Sequence, residues 1–164
     1  MNFKRINAIL TLTANVGVLI GVLLVAYELR QNDNTLNASI QLSLSNSYEA
    51  LATIAVENPI LGEAIVRLFT GEDLDIQDQV NLTAWQSRYL QVLHTTYNLY
   101  RDGIVPEDFW REKASHFTVF MVQSDRFTEL YETGKHDEIF SREFEAALDA
   151  IYQEQLAVRT EATQ

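Results

Sequence analysis

The sequence predicts an all-α protein in which one amino-terminal transmembrane helix is followed by a bundle of five or six helices. A run of 22 residues, from Ile6 to Tyr27, contains no charged side chain. After it, apolar residues recur at steps of three and four, the spacing of one helix face, and no stretch alternates as a strand would. We therefore expect a membrane anchor over residues 1–30, a helical domain over 31–157 and a frayed tail over 158–164.

The uncharged run is long enough to cross a membrane. At about 1.5 Å per residue it would form a helix roughly 33 Å long, against a hydrocarbon core of about 30 Å. A cleaved signal peptide is the competing interpretation, but it needs a shorter apolar core and small residues at a cleavage site. The run ends in Leu-Val-Ala-Tyr-Glu at 24–28, which lacks such a pattern. An uncleaved anchor is therefore favoured.

Two different faces are predicted on this span. Small residues recur every four positions, at Thr13, Gly17 and Gly21. Polar residues recur with the same step, at Asn7, Thr11 and Asn15. Small residues let another helix approach closely, and an asparagine in hydrocarbon needs a hydrogen-bonding partner. Asn15 and Gly17 lie about 200° apart around the helix, so we expect the polar face and the small-residue face to contact different neighbouring helices. The alternatives are a chance GxxxG spacing and a channel lined by the polar face.

The first two helices of the domain are bounded by recognisable signals. No proline or glycine lies between residues 22 and 56, so the anchor helix is expected to continue beyond the membrane. The polar cluster 32–35 is the natural place for a bend or a new N-cap. Asn58 and Pro59 then have the arrangement of an N-cap followed by the first residue of a helix, and this second helix is expected to end at Gly71.

The third helix is predicted from a cap at Asp75 over about 76–101. One of its faces has the spacing of a core stripe, with Trp85, Tyr89, Val92, Thr96 and Leu99. A second face has the same spacing and is polar, with Ser87, Gln91, His94, Asn98 and Arg101. This polar face is expected to be a solvated surface.

Three further helices complete the predicted bundle. Pro106 opens the fourth, whose inward residues would be Phe109, Trp110, Phe117 and Met121. A short helix is expected near 124–132, ending at Gly134. Ser141 caps the last helix, which carries Phe144, Leu148 and Ile151.

The charge distribution bears on partners and on topology. Lys4 and Arg5 precede the span, and the other 10 basic side chains face 23 acids, which gives residues 28–164 a formal charge of −13. Such a domain is repelled by nucleic acid, so nucleic-acid binding is not expected. Positive residues tend to remain cytoplasmic, which places the amino terminus inside and the domain in the periplasm of a bacterium. A cytoplasmic domain is the alternative.

Side chains that could carry chemistry are few. Cysteine is absent, which excludes thiolate chemistry and disulfides. Asp108, Glu112 and His116 share a helix face and could bind a divalent metal, but di-iron bundles use a step of three contributed by two helices. A solvated face explains this trio better, and the segment 136–138 (His-Asp-Glu) is interpreted as a polar turn. We therefore assign no catalytic, cofactor or metal residue and expect a protein that is not an enzyme.

Aromatic residues are abundant, with seven tyrosines, eight phenylalanines and two tryptophans. Six of them are candidates for anchors of a protein interface: Tyr97, Tyr100, Phe109, Trp110, Phe117 and Phe120. The alternative, which we favour, is that these rings form the core of the bundle.

Three segments together resemble a known group of proteins. They are YELRQN at 27–32, YRDG at 100–103 and FSREF at 140–144. In this order they resemble a widespread group of small bacterial membrane proteins with one amino-terminal transmembrane helix, an all-α soluble domain and no assigned activity. The resemblance implies a bacterial inner-membrane location and transfers no active site.

The sequence therefore favours a single-pass membrane protein that acts by protein–protein association. The leading hypothesis is an accessory or assembly subunit of a larger membrane complex. The alternative is a homo-oligomeric channel or scaffold formed through the amino-terminal helix. No cofactor is expected, and the expected partners are the membrane, other membrane-protein subunits or further copies of the chain.

Overall fold

The structure, a computed structural model, describes residues 3–135 and 139–162, and their side chains except those of 4–11, 130, 134 and 162. The described residues form six helices and no strand, which confirms the all-α prediction. The helices are α1 (Phe3–Glu57), α2 (Pro59–Thr70), α3 (Ile76–Arg101), α4 (Glu107–Gln123), α5 (Asp125–Lys135) and α6 (Arg142–Ala162). The chain divides between Gln41 and Leu42 into two compact units.

The first unit is helical throughout its described length. Its helix does not break at residues 32–35, where the sequence suggested a bend or a new N-cap. The hydroxyl of Thr35 donates a hydrogen bond to the carbonyl of Gln31 at 3.0 Å, so this polar side chain is satisfied within the helix. Between Leu12 and Leu29 the large apolar side chains are exposed.

The second unit contains the last turns of α1 and the five other helices. Leu44 and Leu51 of α1 are buried in it. The hydroxyl of Tyr48 lies 2.8 Å from that of Thr96 on α3, and the indole of Trp85 donates to the carbonyl of Leu51 at 3.1 Å. These two hydrogen bonds fix the end of α1 against α3.

The boundaries of α2 and α3 follow the predicted capping residues. The side chain of Asn58 accepts hydrogen bonds from the first turn of α2, and Gly71 ends that helix with a left-handed φ of 76°. Asp75 and Asp78 form a reciprocal capping box at the start of α3, with hydrogen bonds of 2.8 and 3.3 Å. These local signals were sufficient to predict the helix boundaries, because each one satisfies backbone groups of its own helix.

Two helix ends differ from the prediction. α5 does not stop at Gly134 but includes Lys135, whose amine donates to both oxygens of Asp149 on α6 at 2.8 and 2.9 Å. α6 remains helical to Ala162, through most of the segment predicted to fray. Arg159 in that last turn donates to the carbonyl of Val122 on α4. In both cases a residue beyond the predicted end contacts another helix, and the helix continues to include it.

The core of the second unit is largely aromatic. Phe117 and Tyr131 are fully buried, as is Phe144 of α6. The ring of Trp85 contacts three others, those of Tyr89, Phe120 and Phe127, with centroids 5.9–6.4 Å apart. Such edge and tilted contacts stabilise the packing beyond the area that the rings bury.

Replacement of Trp85 with phenylalanine tests the link between α1 and α3. We expect Trp85→Phe to lower the free energy of unfolding by about 1 kcal/mol more than Trp110→Phe, because only the first variant loses a hydrogen bond within the described structure. Both variants lose the same ring volume at buried positions. Urea unfolding followed by circular dichroism in mild detergent measures the difference. Equal losses would mean that this hydrogen bond contributes nothing measurable.

Candidate functional site

The first candidate surface is the apolar part of α1. By length and composition this helix can cross a membrane, and none of its apolar window is buried. At Gly17 and Gly21 nothing lies within 4 Å of the position that a Cβ atom would take, so the small-residue face is open to an approaching helix. Asn15 is exposed. The side chains of Asn7 and Thr11 lie outside the described residues.

The second candidate surface is a groove within the helical domain, here called the aromatic groove. It encloses about 570 Å³ and is formed by residues of α1, α2, α3 and α4. Its aromatic walls are Tyr48, Trp85, Tyr89 and Phe120, and its aliphatic lining is Ala52, Ala55, Ile65 and Val119. Lys113 and His116 complete the lining. This volume lies within the range of about 300–1,000 Å³ that is typical of small-molecule sites.

Lys113 is held at the groove by aromatic rings and one carboxylate. Its Nζ lies 5.6 Å from the ring centroid of Tyr48 and 5.2 Å from that of Phe109. It also lies 2.7 Å from Oε1 of Glu112, and the lysine side chain is only 18% exposed. Since an ammonium group has three N–H donors, the pair with Glu112 leaves donors for another acceptor.

The tyrosines of the groove contribute no charge at neutral pH. Burial raises the pKa of Tyr89 to about 12. Burial also raises the pKa of Tyr48, and this effect exceeds the opposing effect of the hydrogen bond with Thr96. No aspartate or glutamate is among the described residues that line the groove, although the domain is strongly acidic. Its fixed positive charge is therefore that of Lys113.

The trio Asp108, Glu112 and His116 does not form a metal site in the described structure. Glu112 pairs with Lys113, and the hydrogen bond with that ammonium lowers the pKa of the glutamate. His116 lines the aromatic groove instead. No group of three potential metal ligands occurs among the residues that the structure describes. The turn at 136–138 lies outside those residues.

The six aromatic candidates for an interface are mostly part of the core. Tyr97, Trp110 and Phe117 are buried, so they have no free surface for a partner and the interpretation as core residues applies to them. Tyr100, Phe109 and Phe120 are half-buried, and of these Phe120 lines the groove.

His94 departs from the predicted solvated face of α3. Ser87, Gln91, Asn98 and Arg101 are exposed as expected, but the ring of His94 is half-buried. It packs against Phe140 and Phe144, with centroids 5.4 and 4.9 Å away, and its Nε2 is enclosed without a hydrogen-bond partner in the described structure. Burial lowers the pKa of His94, since a charged imidazolium would lose its hydration there.

Sequence reasoning did not identify the groove or Lys113. A groove formed by four helices depends on packing that no single periodic pattern encodes. One signal was present: Lys113 is four residues after Phe109 and four before Phe117, so a single cation lies among rings on one helix face.

Comparison of the chain with protein-family models, with curated proteins and with solved structures gives no match in any of the three. The functional interpretation therefore depends on the chemistry of the span and of the groove.

The environment of His94 predicts a pH dependence of stability. Its pKa in the folded protein lies below the value of about 6.5 expected in the unfolded chain, so the unfolded state binds more protons as the pH falls through that region. We expect the thermal unfolding midpoint to fall between pH 7 and about pH 5, and to fall less in His94→Leu. The control Gln91→His places a histidine on the exposed face of α3 and should leave the pH dependence unchanged. Parallel pH profiles for the wild type and His94→Leu would contradict this assignment.

Proposed function

We propose that this protein is a single-pass membrane protein that acts by association with other membrane proteins, as an accessory or assembly subunit of a membrane complex. The observation that carries the proposal is the exposed, uncharged stretch of α1 from Leu12 to Tyr27, with Gly17 and Gly21 open on one face. In hydrocarbon there is no hydrophobic force between helices, so close packing at small residues is what favours their association.

Two further features support this proposal. Asn15 is exposed in the same helix, and a polar amide at membrane depth favours a hydrogen bond to another helix. The sequence resemblance to small bacterial membrane proteins favours an inner-membrane location. The positive residues Lys4 and Arg5 favour a cytoplasmic amino terminus and a periplasmic domain.

Leucine substitutions on the small-residue face test the association. In Gly17→Leu/Gly21→Leu we expect the complex isolated from native membranes in mild detergent to lose its partner chains, because added side chains keep the neighbouring helix away. The measurement is native mass spectrometry, which gives both the mass and the composition of the complex.

A matched control is available on another face of the same helix. Val16 and Leu23 are both exposed and lie about 100° or more from Gly17 and Gly21 around the helix, so Val16→Phe/Leu23→Phe adds volume to the helix without filling the glycine face. The complex should survive in this control. An intact complex in the glycine variant would exclude that face as the contact.

The same measurement distinguishes the homo-oligomeric channel. A particle whose mass is a whole multiple of the chain, with no other protein in it, favours a homo-oligomer. Ion flux in liposomes that is lost in Asn15→Leu would then favour a channel lined by the polar face, and the absence of flux would favour a scaffold.

A further inference from the structure

We propose that the aromatic groove binds a single-chain fatty acid, with the acyl chain along the apolar wall and the carboxylate at Lys113. This binding site lies wholly within the helical domain. It is therefore independent of any association through the span.

The lining of the groove fits an acyl chain. The side chains that line it are aromatic or aliphatic except those of Lys113 and His116, which both belong to α4. The hydroxyl of Tyr48 is already paired with Thr96, so that wall presents its ring rather than a free polar group. A ligand with several polar groups would leave those groups unpaired against these walls, and that desolvation is unfavourable.

The charge of the groove selects an anionic head group. The domain carries a formal charge of −13, yet the described lining contains one lysine, one histidine and no acid. Lys113 is largely shielded from solvent by the rings of Tyr48 and Phe109, and a charge in such surroundings interacts more strongly than one in water. An anion at this position would therefore be attracted locally in spite of the acidic surface.

The volume of the groove and its single fixed positive charge favour a fatty acid over other anionic lipids. A volume of about 570 Å³ is that of a site for one drug-sized molecule, so it suits one acyl chain better than the two chains of a membrane phospholipid. One ammonium, partly neutralised by Glu112 at 2.7 Å, matches a singly charged carboxylate better than a doubly charged phosphate monoester.

Fluorescence quenching of Trp85 measures this binding directly. Trp85 lines the groove, and Trp110→Phe leaves it as the only tryptophan of the chain. The full-length Trp110→Phe protein in lipid nanodiscs is titrated with bromine-labelled lauric acid, whose bromine quenches only a nearby indole. Saturable quenching is expected, and the methyl ester of the same acid, which has no charge, should bind about tenfold more weakly.

Charge variants test the role of Lys113. We expect Lys113→Glu to weaken binding of the acid by about tenfold or more, the effect of losing one charge-assisted hydrogen bond. Arg88→Glu makes the same change of net charge at an exposed residue that does not line the groove, and should leave binding unchanged. Glu112→Gln removes the competing carboxylate and should strengthen binding.

A second pair of variants tests the groove without changing charge. Ala52 is an exposed residue of α1 that lines the groove, and Ala52→Phe should abolish quenching by filling it. Ala50→Phe places the same ring on an exposed position of α1 outside the lining and should have no effect. Circular dichroism of each variant verifies that the helical content is retained.

Three kinds of result would overturn the proposal. Equal binding of the acid and its ester, or of the wild type and Lys113→Glu, would show that the groove does not recognise an anion. Quenching that does not saturate, or that persists in Ala52→Phe, would mean that the acid only dissolves in the nanodisc lipid. A Trp85 spectrum that shifts with protein concentration in the absence of ligand would identify a second copy as the occupant.

Discussion

The hydrogen bond from Trp85 to the carbonyl of Leu51 is the constraint on which the helical domain depends. It is buried, and it holds the end of α1 against α3. The indole that donates it also contacts rings of α4 and α5, those of Phe120 and Phe127. One side chain of α3 thus contacts three other helices, and two of these, α1 and α4, form the aromatic groove together with α2 and α3.

The same aromatic residues serve the core and the groove. Trp85 and Tyr89 are at most 9% exposed, yet both line the groove, so most of each ring is packed in the core while a small part borders the groove. This double use removes conformational freedom from the walls before any ligand binds, which reduces the entropic cost of binding. It also means that stability and binding cannot be changed independently at these two positions, whereas Ala52 and Lys113 lie at the margin of the packing.

Sequence patterns predicted the features that are local. The caps at Asn58 and Asp75 and the left-handed turn at Gly71 were predictable because each satisfies backbone groups a few residues away. Features decided by distant contacts were not. Lys135 extends α5 beyond Gly134 through Asp149, and the polar spacing of His94 gave no sign that rings of a distant segment enclose it. The groove belongs to this second kind.

The pattern of α1 changes along its length, and this change separates the two proposed activities. From Leu12 to Leu29 large apolar residues occur on every side, so that part has no single face for a protein core, and any preference between neighbours must come from its small and polar residues. In the last turns only the side with Leu44, Tyr48 and Leu51 is buried or half-buried. This side forms hydrogen bonds with Thr96 and Trp85 of α3. Association through the span and binding in the groove therefore depend on different side chains of one helix. A substitution on the glycine face alters no residue of the groove, so the two activities can be lost separately.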